Sequence, residues 1–286
     1  MTALLRTPAA DTPKDAPVPL STDCVADSAG GLTFDLADPG AKGAAHLLLR
    51  LRETETDPDT DDAADEVRLP LTPAGDGRLR AVLPSSVGLP EGRWDAYAEY
   101  GGSAPRRLVP GLNDLRSLVD RVPTGARGHV AVRIPYVTKY GNLTVRAWHR
   151  APHAEAGELL LGDAELTVRG RVFGIAPTDG AYVEARNRRW PALVHRTEVT
   201  TQGADFTCTV AYKALVEGPG SWDLWLSPAG AAGPEVRIAR LLDDVADKKP
   251  IFTYPVTRLD TEGGPVEAGP YYTVDNDLSV RVGAAD

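Results

Sequence analysis

Cysteine is almost missing from this chain: Cys24 and Cys208 are the only two and lie far apart, so a disulfide framework is excluded and a structural disulfide is not expected. Long apolar runs are missing as well. The longest resemble Leu47-Leu48-Leu49 and Leu159-Leu160-Leu161, far short of the roughly 18 residues a membrane-spanning helix needs. Between Met1 and Arg6 only Ala3, Leu4 and Leu5 are apolar, too few for an export signal, and a cytoplasmic location is expected. Positive charge is in deficit, with 31 Lys and Arg against 40 Asp and Glu and a net charge of −9. A sequence-independent grip on phosphate backbones would need a strong local basic face, so nucleic acid is not an expected partner. The chain also lacks a Gly-x-Ser-x-Gly elbow, a Gly-x-Gly-x-x-Gly turn and a Gly-Lys-Ser/Thr phosphate loop, which leaves nucleophilic and nucleotide chemistry without a motif. Cys208 sits in Thr207-Cys208-Thr209, a mid-strand setting in which an inert thiol is expected.

What is present is an ordinary globular composition, 42% apolar and 25% charged over 286 residues, which suggests about two domains. The organisation shows in a repeat. Pro135-Tyr136-Val137-Thr138-Lys139-Tyr140-Gly141-Asn142-Leu143-Thr144-Val145-Arg146 aligns with Pro270-Tyr271-Tyr272-Thr273-Val274-Asp275-Asn276-Asp277-Leu278-Ser279-Val280-Arg281, six of twelve positions being identical. Upstream, Gly92-Arg93-Trp94-Asp95-Ala96-Tyr97 aligns with Gly220-Ser221-Trp222-Asp223-Leu224-Trp225. The offset is 128 residues at the Trp-Asp motif and 135 at the Pro-Tyr motif, so the second copy carries an insertion of loop size between them.

Period-two alternation marks about seven strands in each half. In the first half they are Leu32 to Leu36, His46 to Arg52, Val67 to Leu71, Leu79 to Leu83, Trp94 to Tyr100, His129 to Ile134 and Leu143 to Trp148. In the second they are Ala164 to Arg169, Ala181 to Ala185, Val194 to Thr200, Phe206 to Ala211, Trp222 to Leu226, Val236 to Arg240 and Leu278 to Val282. Short strands separated by Gly and Pro turns predict an all-β fold, two tandem antiparallel sandwiches resembling the immunoglobulin type. The expected organisation is a flexible tail over 1–27, where Pro8, Pro13, Pro17 and Pro19 fall among small polar residues, a first sandwich over 28–150 and a second over 160–286. The junction is expected at 149–160. Leu112, Leu115, Leu118 and Val119 share a helical spacing, which predicts a short helix after Pro110, with a counterpart near Leu241 to Ala246.

Each candidate site has a plain alternative. Trp94-Asp95 and Trp222-Asp223 have the chemistry of a sugar-binding face, rings to stack and carboxylates to accept hydroxyls, but duplicated tryptophans on inner strands predict core filling. Tyr136 and Tyr271 are expected to tie strand corners to backbone. Eight acids crowd residues 53–66. Asp57, Asp59 and Asp61 begin like a calcium loop, but Asp62 stands where glycine is required and Arg68 where glutamate is, so a solvated loop is expected instead. His149 and His153 with Glu155 and Glu158 would place metal ligands near one another on a helix, which Pro152 opposes. No metal or cofactor is expected, and His46, His129 and His195 are assigned no catalytic role. Arg186, Arg188 and Arg189 with Trp190 form the one basic and aromatic cluster, suited to an anionic polymer or an acidic partner. They are the expected contact surface.

On Gly92, Trp94, Asp95, Asn142, Leu143, Val145 and their second-copy partners, the two halves resemble the tandem immunoglobulin-like C-terminal domains of Gram-positive, including actinobacterial, cell-wall glycosyltransferases of the teichoic-acid type. The Ala, Arg, Asp, Gly and Pro bias also resembles that of a high-GC actinobacterial gene. In that family such modules mediate self-association and follow a catalytic nucleotide-sugar domain, which has no counterpart in this chain, so the resemblance implies no catalytic residue here. It implies an accessory module that associates with itself or with a separate transferase chain. A carbohydrate-binding module and an enzyme with an unfamiliar site are the alternatives.

Overall fold

The computed structural model describes residues 19–52, 65–119, 121 and 128–285. Among the described residues, alternation of buried and exposed side chains builds twenty strands, ten to each sandwich. The first sandwich holds β1 (Leu20–Ala26), β2 (Leu32–Ala37), β3 (Ala45–Leu51), β4 (Glu66–Pro70), β5 (Thr72–Pro73), β6 (Arg78–Leu83), β7 (Gly92–Tyr100), β8 (Arg106–Asp114), β9 (Val130–Val137) and β10 (Leu143–Arg150). The second holds β11 (His153–Leu161), β12 (Glu165–Phe173), β13 (Tyr182–Asn187), β14 (Val194–Gln202), β15 (Asp205–Ala211), β16 (Gly220–Ser227), β17 (Val236–Ala239), β18 (Thr257–Thr261), β19 (Gly264–Tyr272) and β20 (Leu278–Ala284).

The long strands β7 and β16 organise the two halves in the same way. Each turns one set of alternate residues inward, Trp94, Ala96 and Ala98 in β7 and Trp222, Leu224 and Leu226 in β16, as a pleated strand with one face on a core must. Along one edge of β7, β10 pairs with residues 92–95 and β8 with Tyr97 and Ala98. Along β16, β20 pairs with residues 220–223 and β17 with Trp225 and Leu226. The repeat therefore falls in register: Trp94 faces Val145 and Asp95 faces Thr144, while Trp222 faces Val280 and Asp223 faces Ser279. The strands β1 and β11 run parallel to β8 and β17 and close the two sandwiches.

Four expectations change. Residues 20–26, read as part of the 1–27 tail, are strand β1, with Cys24 fully buried against Phe34 of β2; residues 1–18 of that tail lie outside the described residues. The predicted helix after Pro110 is strand β8, in which Leu112 is 67% exposed, followed by a single 3-10 turn over Arg116–Leu118. Parallel pairing with β1 and the bond from the Leu112 N–H to Asp23 (2.8 Å) hold that backbone extended, so tertiary pairing overrides the helical spacing. No helix forms at 241–246 either. Finally, residues 149–160, read as a junction, belong to β10 and β11 apart from Ala151 and Pro152.

The sandwiches are joined by a built interface. Outward-facing Arg146 of β10 pairs with Asp275 (2.6 Å), the Trp148 indole N–H donates to the Asp275 carbonyl (3.3 Å), and Arg150 pairs with Asp277 (2.7 Å). Between β17 and β18, the strap over residues 240–248 inserts Leu241 into the core of the first sandwich, with Leu242 and Ala246 packed against it. Glu155 of β11 accepts the N–H groups of Leu241 (2.9 Å) and Leu242 (3.0 Å). Lys248 is wholly buried, its ammonium on Asp243 (2.7 Å) and the Val245 carbonyl (2.8 Å). Asn276 clamps the same strap by accepting from the Lys248 N–H (3.1 Å). It stands at φ 62°, where the equivalent turn of the first sandwich has Gly141 at φ 79°. Both residue types tolerate the left-handed conformation, and only asparagine adds a side chain to use there.

Candidate functional site

The acidic residue of each repeated motif lies outward on its strand and gathers the same partners. Asp95 meets Arg52 (2.5 Å), Arg107 (2.6 Å) and the Thr144 hydroxyl (2.8 Å). Asp223 meets Arg188 (2.5 Å), Arg237 (3.2 Å) and the Ser279 hydroxyl (2.8 Å). The pattern extends one step along each strand. Arg50 and Arg107 lie over the Tyr97 ring at 5.2 and 4.9 Å, and Arg186 and Arg237 lie over Trp225 at 5.2 and 5.3 Å. Burial works against the charge on Asp95, yet the bonds from Arg52 and Thr144 and the charge of Arg107 hold its carboxyl below the usual aspartate range. Asp223 is held low against the same penalty by Arg188, Arg237 and Ser279. These carboxylates are fixed as anions inside ion-pair clusters, a geometry that joins three strands rather than one that moves a proton.

A folded-state pKa below the unfolded aspartate value of about 3.9 contributes stability that is complete above that value and is lost as pH falls through the folded pKa. Asp95→Asn and Asp223→Asn should therefore each cost about 1–3 kcal/mol near neutrality. Each should also shrink the stability lost on acidification, as urea unfolding at neutral and acid pH would measure. Equal acid dependence in wild type and both variants would reject these clusters as the cause.

The repeated tryptophans are core. Trp94 is 1% exposed and donates to the Pro90 carbonyl (3.1 Å); Trp222 is fully buried and donates to the Gly218 carbonyl (2.8 Å). This removes them as a sugar-stacking platform. Tyr271 donates to the Ser221 hydroxyl (2.8 Å), a side chain rather than backbone. His153 is buried on Glu155 (2.7 Å), Glu158 pairs with Arg169 (2.9 Å), and His149 lies against His129, so the four residues weighed as metal ligands are not brought together. Among the described residues no three such side chains gather in ligand geometry. Both cysteines are free and buried, and burial pushes the Cys208 thiol up to about 12 and the Cys24 thiol higher. Residues 53–64 of the acidic run lie outside the described residues.

The arginine cluster divides. Arg186 is bound by Glu184 (2.7 Å) and Glu235, and Arg188 by Asp223. Arg189 lies over Trp190 (4.9 Å) in the exposed turn between β13 and β14, the indole being 37% exposed. Sequence reading did not anticipate a larger feature, a cleft of about 910 Å³ where the β9–β10 turn faces the strap. Arg52, Asp95 and Arg107 lie in it, along with Tyr136, Asn142 and Asp244. Its lining also includes Val137, Tyr140 and Ile251, exposed by 55%, 77% and 62%. The cleft draws on residues more than a hundred positions apart, and no local motif announces it.

Comparison with known proteins leaves the fold resting on the strand pairing itself. No protein-family model matches the chain, and no curated protein matches it. Among solved structures it is similar to an S. aureus TarS fragment, 217–571, at 11% identity and a TM-score of 0.33, covering 68% of this chain and 55% of that one. It is also similar to the chicken CNTN1 FN1–FN3 domains (10% identity, TM-score 0.20, covering 77% and 62%) and a marsupial T cell receptor (6% identity, TM-score 0.29, covering 93% and 92%). The chain thus spans just over half the TarS fragment.

Proposed function

We propose that this chain is a non-catalytic accessory module, a rigid pair of sandwiches that docks protein at the cleft beside their joint, in the first instance a second copy of itself. The observation that carries this reading is the exposed apolar rim of Val137, Tyr140 and Ile251 on a joint already braced by Arg146–Asp275, Arg150–Asp277 and the strap. Apolar side chains held on a stiff frame bind with little ordering cost. The repeated acidic residues support it too, since their charges are satisfied within the chain. The finer reading, that the assembly serves an envelope-polymer transferase of the teichoic-acid type supplied by another chain, rests on the motif resemblance. In that setting Arg189 and Trp190 form a second contact point for an acidic or polymeric partner.

Light scattering over a range of concentrations tests the reading. A dimer or trimer that reverts to monomer in Tyr140→Asp is expected; a strict monomer throughout rejects self-association. A glycan in the same cleft is the second reading, favoured by Tyr140 near Tyr136 and Asn142. It would appear as retention on a cell-wall polymer that Tyr140→Ala abolishes.

A further inference from the structure

On the first sandwich, away from the cleft, a separate cavity of about 420 Å³ opens between the loop joining β6 to β7 and the strands β9 and β10. Arg133 of β9 reaches it and is only 4% exposed. Its guanidinium donates to the carbonyls of Pro84 (2.9 Å), Gly30 (3.3 Å) and Val87. These three bonds account for at most three of its five N–H groups. Among the described residues no carboxylate lies within ion-pair distance of it, while nine other arginines of this sandwich and its joint, Arg52 and Arg146 among them, have one.

A buried charge without a directly paired counter-ion is expensive; beyond ion-pair distance Asp27 favours the charge and Arg121 opposes it, and carbonyl dipoles orient the guanidinium without neutralising it. The rest of the lining fits the missing charge. The His129 and His149 rings lie 4.5 Å apart, centre to centre, and Ser85 and Ser86 bring hydroxyls. No acidic side chain lines the cavity among the described residues, in a chain whose net charge is −9. Trp148 and Leu89 supply an apolar wall. The volume exceeds what a bare tetrahedral anion fills and lies within the range of about 300–1,000 Å³ typical of small-molecule sites.

We propose that this cavity binds the phosphate group of a small phosphomonoester. Arg133 supplies the fixed positive charge, Ser85, Ser86 and the His149 imidazole supply donors, and the wall of Trp148 and Leu89 receives the organic part. Guanidinium and hydroxyl donors converging on one point are the usual recognition of a phosphate.

Calorimetric titration of the whole chain with glucose 1-phosphate, inorganic phosphate and glucose tests the proposal. Glucose 1-phosphate should bind with a dissociation constant of about 1 mM or tighter, inorganic phosphate more weakly, and glucose not at all. Arg133→Gln should weaken binding about tenfold, as expected for a bond between charged groups. Because Arg133 also secures three loops, the double variant Ser86→Ala with exposed His149→Ala is the deciding control. It should fold normally and bind about fivefold more weakly. Absence of saturable binding by either phosphate, equal binding of glucose and its phosphate, or unchanged affinity in the double variant would overturn the proposal.

Discussion

Asp275→Ala should lower the stability of the chain by about 3–5 kcal/mol, because among the described residues it removes the only carboxylate ion-paired with buried Arg146 and leaves that charge without a direct partner. Arg146 is only 6% exposed in its side chain, its Nε already lacks a partner, and burial pushes its pKa down. Stacking on Trp148 at 4.8 Å and the charge of Glu91 beyond ion-pair distance are what then support its charge. Asp277→Ala should cost less, since Arg150 keeps Glu91 at 2.9 Å. Urea unfolding of both variants measures the difference. Arg146→Met in the Asp275→Ala background should recover most of the loss, since removing both charges avoids the unpaired one. A loss below about 0.5 kcal/mol in Asp275→Ala, the level of an ordinary surface substitution, would mean that this pair does not lock the sandwiches.

The second large effect belongs to the cores. Trp94→Ala and Trp222→Ala should each destabilise by about 3–5 kcal/mol, the range for truncating a large buried aromatic. The Phe variants, which keep most of the volume and lose the bond to Pro90 or Gly218, should cost about 1–2 kcal/mol. Thermal unfolding checks both. The result also bears on function: a tryptophan that served a ligand would lose binding on truncation and leave the melting temperature almost unchanged.

The repeat has one break in symmetry that matters for assembly. Asp275 and Asp277, which hold the joint, are replaced at the equivalent turn of the first sandwich by Tyr140 and Asn142. On the receiving face, Arg146 and Trp148 correspond to Arg281 and Gly283, and Arg281 lies exposed over Tyr271. The contact that joins the two halves within the chain therefore has no second copy to propagate it. The freed turn carries Tyr140 to the rim of the cleft instead.

Much of this architecture was legible without coordinates. All fourteen strands predicted from alternation are present, because a half-buried strand must write its burial into every second residue. The repeated Trp-Asp and Leu-Thr/Ser-Val motifs also declared the duplication. Six described strands were not legible, β5, β18 and β19 among them, and β1, β8 and β11 show why. Each of these three has few apolar residues or carries Pro or Gly, and each is held by parallel pairing to a strand distant in sequence, a term that local pattern does not contain. For the candidate site the division is the same. Residue types marked Asp95, Asp223 and the Arg186 to Trp190 cluster as chemically interesting. Only the tertiary structure showed that most of those charges are spent on one another, because ion pairs form between side chains that the chain brings together from afar. The cleft and the Arg133 cavity were likewise settled by folding, since a concave surface is a property of how elements pack and of which charges end without a partner.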